Sequence, residues 1–178
     1  MKKQYFKKIA TVAAVIACCM LTAACSEKED PEVIRSEIKS SKVVGEGIKS
    51  EDINEFYYTE ENINYDAYFL RYKFYSEDGK HFFFYEERHR EDDYGPCTEE
   101  DTTGKCEYEL TDDEWNEFFD IISEGKVEKR VDNAESGSTG PWLYLYWTGD
   151  KSKYQVYSFL NYGRQVKFVE YCESLAKR

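Results

Sequence analysis

Histidine is scarce in this chain: 178 residues hold two, His81 and His89. Their spacing of eight fits no helical metal motif, and both fall on or beside one strand-like run, where a solvated strand histidine is the ordinary outcome. The patterns HExxH, CxxC and Gly-x-Ser-x-Gly are missing. GSTG at 137–140 lacks the lysine and flanking spacing of a phosphate loop and reads as a linker between strands. Positive charge is also in deficit. Lys and Arg number 24 against 36 Asp and Glu, a net charge of −12. A nucleic-acid partner is excluded on that ground, because phosphates need clustered cations. The longest uncharged stretch, Ile9 to Ala24, has sixteen residues, several of them Ala, Thr or Cys. That is a weak match to a lasting membrane span.

Together these absences leave no cofactor and no metal to expect, and the enzyme reading leans to no. Close carboxylate pairs carry little weight among 36 acids, since some arise by chance. The runs EDD at 91–93 and EED at 99–101 have no EF-hand spacing and read as acidic surface. Cys172 falls on the apolar face of a helical pattern, which favours packing over nucleophilic chemistry.

What the chain has instead is aromatic residues: 17% of the total, with 16 Tyr and 11 Phe. Such a chain has the apolar material for a core, and its length suits one domain and a tether. The ends of the chain differ in character. Lys2, Lys3, Lys7 and Lys8 precede the uncharged stretch, and the small residues Ala23 and Ala24 stand directly before Cys25. A basic start, a short apolar run and small residues before a cut make a secretory signal.

Over residues 1–25 this start resembles a bacterial lipoprotein signal. In that family the cysteine thiol takes a diacylglyceryl group and becomes the first residue of the mature chain. The family usually has Leu three places before the cysteine; here that place is Thr22, with Leu21 one earlier. Val15, Ile16 and Ala17 before Cys18 form a rival box, but cutting there strands more apolar residues in the mature chain. The resemblance implies lipidation at Cys25, and a second acyl chain turns marginal membrane binding into stable anchoring. Loss of residues 1–24 removes four lysines and takes the net charge from −12 to −16. An anionic membrane surface repels such a domain, which is then held off the bilayer on its tether.

Residues 25–52 are rich in Ser, Lys and Glu and read as that tether; residues 53–178 read as a single domain. EFYYT is a first strand. In YDAYFLRYKFY, Tyr68, Leu70, Tyr72 and Phe74 alternate onto one face, and SEDGK turns the chain into HFFFYEER. Residues 91–106 read as an acidic loop. Within it Cys97 and Cys106 are a candidate disulfide, contributing about 2–3 kcal/mol for so short a loop. With Cys172 there are three possible pairings, and the choice rests on proximity in the chain alone.

LTDDEWNEFFDIISEG is the clearest helix. Thr111 and Glu114 make a capping box, and Leu110 with Trp115 a hydrophobic staple. Trp115, Phe118, Phe119 and Ile122 share one face, and Gly125 is placed for a left-handed stop. KVEKRV is a further strand. WLYLYW and YQVYSFL form a second hairpin, and RQVKFVEYCESLAKR a C-terminal helix with Phe168, Cys172 and Leu175 on one face. A hairpin followed by a helix thus occurs twice. The fold class is α+β: an antiparallel sheet built from two aromatic hairpins, with two amphipathic helices packed on it.

In WLYLYW, Trp142, Tyr144 and Tyr146 share one face and Leu143, Leu145 and Trp147 the other. Either the strand is buried on both sides, or the first set is a surface suited to a sugar or a protein. The segments LTDDEWNEFFDII, GPWLYLYW and FVEYCESLAK resemble small uncharacterised lipoproteins of anaerobic Gram-positive bacteria, a likeness over residues 55–178 that implies no activity. The expected role is a lipid-anchored, non-catalytic domain on the extracytoplasmic face of a membrane, binding a protein or glycan. A secreted carboxylate-dependent hydrolase or its accessory is one alternative. An acidic inhibitor or immunity-like protein, suited to a basic partner, is another.

Overall fold

A computed structural model describes residues 42–91, 94–130 and 141–178, without the side chains of 151–155. The signal with Cys18 and Cys25, most of the tether, the acidic pair at 92–93 and the loop 131–140 with its GSTG lie outside the described residues.

Seven strands form one antiparallel sheet: β1 (Ile53–Asn62), β2 (Ala67–Glu77), β3 (Lys80–Arg90), β4 (Thr102–Glu109), β5 (Glu128–Lys129), β6 (Trp142–Trp147) and β7 (Asp150–Ser158). Their order across the sheet is β4-β3-β2-β1-β6-β7-β5. Among the described residues two α-helices, α1 (Asp112–Glu124) and α2 (Tyr162–Ala176), complete the α+β fold. The β2–β3 hairpin turns through Asp78 and Gly79, both at positive φ, the geometry that a two-residue hairpin loop requires.

The sheet's period of two decides the core. Phe56 and Tyr58, Tyr72 and Phe74, Phe83, Leu143 and Leu145, and Tyr157 all fall on one face and are buried. Both helices lay their apolar stripes there. Phe118 of α1 stacks on Phe74 with centroids 4.0 Å apart, and Phe168 of α2 packs edge-on against Phe56 at 5.4 Å. Such rings each contribute roughly 1.5–3 kcal/mol by burial. The helices are also tied by polar bonds: Tyr171 Oη donates to the Glu114 carbonyl at 2.7 Å, and Arg178 pairs with the Glu114 carboxylate.

The capping box forms as the sequence implies. Glu114 N donates to Thr111 Oγ1 at 3.3 Å, and Thr111 N donates to Glu114 Oε2 at 2.8 Å. The stop of α1 differs. Gly125 stays right-handed, and Lys126 takes the positive φ of 50°. The glycine is needed for space instead, since a Cβ there would lie 2.7 Å from Phe159.

Three further features depart from the sequence reading. Val43, Val44 and Ile48 are buried in the core, so the folded part begins ahead of residue 53. Val43 bridges Glu128, and Val44 N donates to the Val127 carbonyl at 2.9 Å, so this segment covers the β5 edge. Residues 102–106, the end of the stretch read as an acidic loop, belong to strand β4, the opposite edge, which carries Lys105, Glu107 and Glu109. In KVEKRV, strand pairing is confined to Glu128–Lys129 among the described residues.

Candidate functional site

The other face of the sheet carries neither helix. Register places its residues in rungs across five strands. Trp142, Thr59, Arg71, Glu86 and Lys105 make one rung; Tyr144, Tyr57, Lys73, Phe84 and Glu107 the next; Tyr146, Glu55, Tyr75, Phe82 and Glu109 a third. The strands thus set Trp142, Tyr144 and Tyr146 together on this helix-free face, half-buried, while Leu143 and Leu145 enter the core. Trp147 follows a register shift and packs against the core side.

Aromatic rings and cations interleave on these rungs. The Arg71 guanidinium lies 4.9 Å from the Phe69 ring centre and 5.6 Å from that of Tyr57. Lys73 lies 4.1 Å from the Tyr75 ring, and Arg88 5.1 Å from Phe69. Each such contact is worth about 0.5–1 kcal/mol where exposed and more where water is excluded. The carboxylates are engaged as well. Glu86, only 6% exposed, accepts from Arg88 Nη2 at 2.9 Å and lies 4.0 Å from Lys105 Nζ. Glu109 pairs with Lys80 at 2.6 Å and Glu55 with Lys73 at 3.8 Å; Glu107 accepts from Tyr75 Oη at 2.7 Å. Desolvation and Glu107 push the Tyr75 hydroxyl up to about 12, so it remains a donor.

A recess of about 450 Å³ opens in this face, lined by Tyr57, Thr59, Arg71 and Tyr144. Thr59 is buried, and its Oγ1 accepts from Arg71 Nε at 3.3 Å. Arg71 escapes a sequence search for catalytic types because it sits inside an aromatic strand. The usable signal is its parity: one residue before Tyr72, it must point away from the helices.

The remaining candidates are placed elsewhere. His81 lies on the core side, its ring stacked on Trp115 at 3.9 Å and its Nδ1 3.0 Å from Ser76 Oγ. Burial holds its pKa below the usual histidine value. It is therefore a packed histidine, not a solvated one. Cys97, Cys106 and Cys172 are free thiols in the structure. Cys106 is opposite Tyr85 and packs against the core, whereas the charges around Cys97 include Glu61, Arg88 and Arg90, on the register of the other face. Cys172 is fully buried, and desolvation raises its thiol well above the ordinary range, which keeps it protonated and inert.

Among the described residues, no cluster of His, Cys, Asp and Glu is arranged to hold a metal ion. No helix among them is long and apolar enough to cross a membrane. No protein-family model, no curated protein and no solved structure matches this chain.

Proposed function

We propose that this chain is a lipid-anchored, extracytoplasmic glycan-binding protein, fastened through Cys25, with the helix-free sheet face as its ligand surface. One observation carries the reading: aromatic rings and polar groups share a recess in the sheet face that neither α1 nor α2 covers. Rings supply the apolar contact that a sugar's C–H face needs, and interleaved donors and acceptors answer its hydroxyls. Binding is favoured over hydrolysis because the carboxylates Glu55, Glu86 and Glu109 are each committed to a cation and Glu107 to a tyrosine hydroxyl.

The test uses the full lipidated protein in detergent on a glycan array. Retention of a defined set of glycans, reduced more than about tenfold by Tyr144→Ala with the fold intact, is the expected result. Absence of retention, or indifference to Tyr144→Ala, overturns the reading. The anchor is tested separately. Cys25→Ala should abolish fatty-acyl labelling and leave the protein unprocessed or released; unchanged labelling would move the site to Cys18.

A protein partner is the second reading, favoured by a different patch. Ile63, Tyr65, Tyr68 and Tyr94 are all exposed near the β1–β2 turn, and the Tyr65 and Tyr94 rings lie 5.6 Å apart. Contiguous exposed apolar groups mark contact surfaces. Capture of one partner, lost on Tyr94→Ser and retained on Tyr144→Ala, would select this reading.

A further inference from the structure

We infer that the recess bounded by Tyr57, Thr59, Arg71 and Tyr144 is a subsite for a sugar bearing a carboxylate, with Arg71 meeting that group. The inference rests on the glycan reading and narrows it to uronic-acid-type ligands.

Charge accounting carries it. Lys73, Lys80, Arg88 and Lys105 each have a carboxylate within 4.0 Å. Arg71 alone among the described cations of this face has none, although Glu86 is its cross-strand neighbour on β3. Glu86 is turned to Arg88 and Lys105 instead. Arg71 is nevertheless held in place. Its Nε donates to the buried Thr59, and its guanidinium plane is flanked by Tyr57 and Phe69. Both Nη groups are thereby left to a ligand. A guanidinium fixed at one nitrogen, with a fork of free donors, is built for a planar two-oxygen acceptor. The rotamer cost of ordering that long side chain is already met before the ligand arrives.

The surroundings set the class of anion. The recess volume of about 450 Å³ falls in the usual range for small-ligand sites, roughly 300–1,000 Å³. Two tyrosines line it, and Thr59 ties the floor to the cation. Net charge is −12, and Glu55 stands one rung away on β1. One unpaired cation in such a field, its neighbours Lys73, Arg88 and Lys105 being paired, suits a singly charged carboxylate better than a doubly charged phosphate.

Calorimetry on the full protein in detergent tests this with galacturonate, glucuronate and mannuronate tetramers, their methyl esters and a sulfated oligosaccharide. At least one uronate should bind about tenfold or more tightly than its ester, the size expected of one charge-assisted pair. Arg71→Gln should remove that difference, leave the ester's affinity as it was and keep the thermal unfolding midpoint. Arg71→Lys should restore only part of it, because a lysine lacks the fork. Equal binding of acid and ester, or acid binding untouched by Arg71→Gln, overturns the carboxylate assignment while glycan binding stands. Tighter binding of the sulfated sugar overturns it too. If neither the uronates nor the esters nor neutral array glycans bind, both readings fall.

Discussion

The two faces of the sheet use the same aromatic residues for opposite ends. On the covered face Phe56, Phe74, Phe83, Phe118 and Phe168 pack into one apolar cluster with rings such as Tyr72, Trp115 and Tyr171, and all five are fully buried. On the helix-free face Tyr57, Phe69, Tyr75 and Phe84 touch Arg71, Lys73, Arg88 and Lys105. The first arrangement gains from excluding water. The second holds half-buried rings by setting a charged head over a ring face, an attraction that does not depend on excluding all water. Ring content alone therefore does not tell core from surface; the partner across the strand does.

The contrast can be broken by experiment, and the largest effect should come from the covered face. Phe74→Ala empties a site packed by Phe118, Phe83 and Phe168, and should cost about 3–5 kcal/mol in urea unfolding. Tyr144→Ala, on the open face, should cost about 1 kcal/mol by the same measurement. Equal losses would erase the distinction between the faces.

Glu86→Gln should come next, at about 3 kcal/mol, since it removes the negative charge that Arg88 and Lys105 share at a position only 6% exposed. A neutral result would show that the open face is wet enough not to need its ion pairs. Thr111→Ala removes the cap of α1, the helix that covers the core, and should cost about 1 kcal/mol.

The smallest effect is one of pH. Asp101 Oδ2 accepts from Arg90 at 2.9 Å and from Thr98 N at 2.6 Å, which holds its carboxyl at about 2 against an ordinary 3.8. A depressed folded value means stabilisation that is present above the ordinary pKa and lost as pH falls from 3.8 toward about 2. Asp101→Asn should flatten the acid limb of the stability curve in that window. An unchanged limb would show that the pairing at this exposed edge contributes nothing.

Much of the covered face was legible in the chain. The i, i+3, i+4, i+7 spacing of Trp115, Phe118, Phe119 and Ile122, with Thr111 and Glu114 at its head, places α1 within a residue. Strand parity puts Trp142, Tyr144 and Tyr146 on one side. What escaped was set by pairing and not by pattern. Strand β4 contains Gly104, two threonines and alternating charge, and only its bonds to β3 make it a strand. Val43, Val44 and Ile48 are too few to stand out in a polar stretch, yet they meet a waiting core. Arg71 has no motif around it. Its place beside the recess depends on Thr59 and Tyr144, from two other strands.

The ends of the sheet have a consequence of their own. One outermost strand is two residues long and already hydrogen-bonded by the incoming segment at Lys42–Val44; the other alternates Lys105, Glu107 and Glu109. The first leaves little open ladder, and the second is blunted by the charges it carries. Many copies crowded side by side can therefore stay separate instead of zipping into fibres, even though the chain is so rich in β-forming residues.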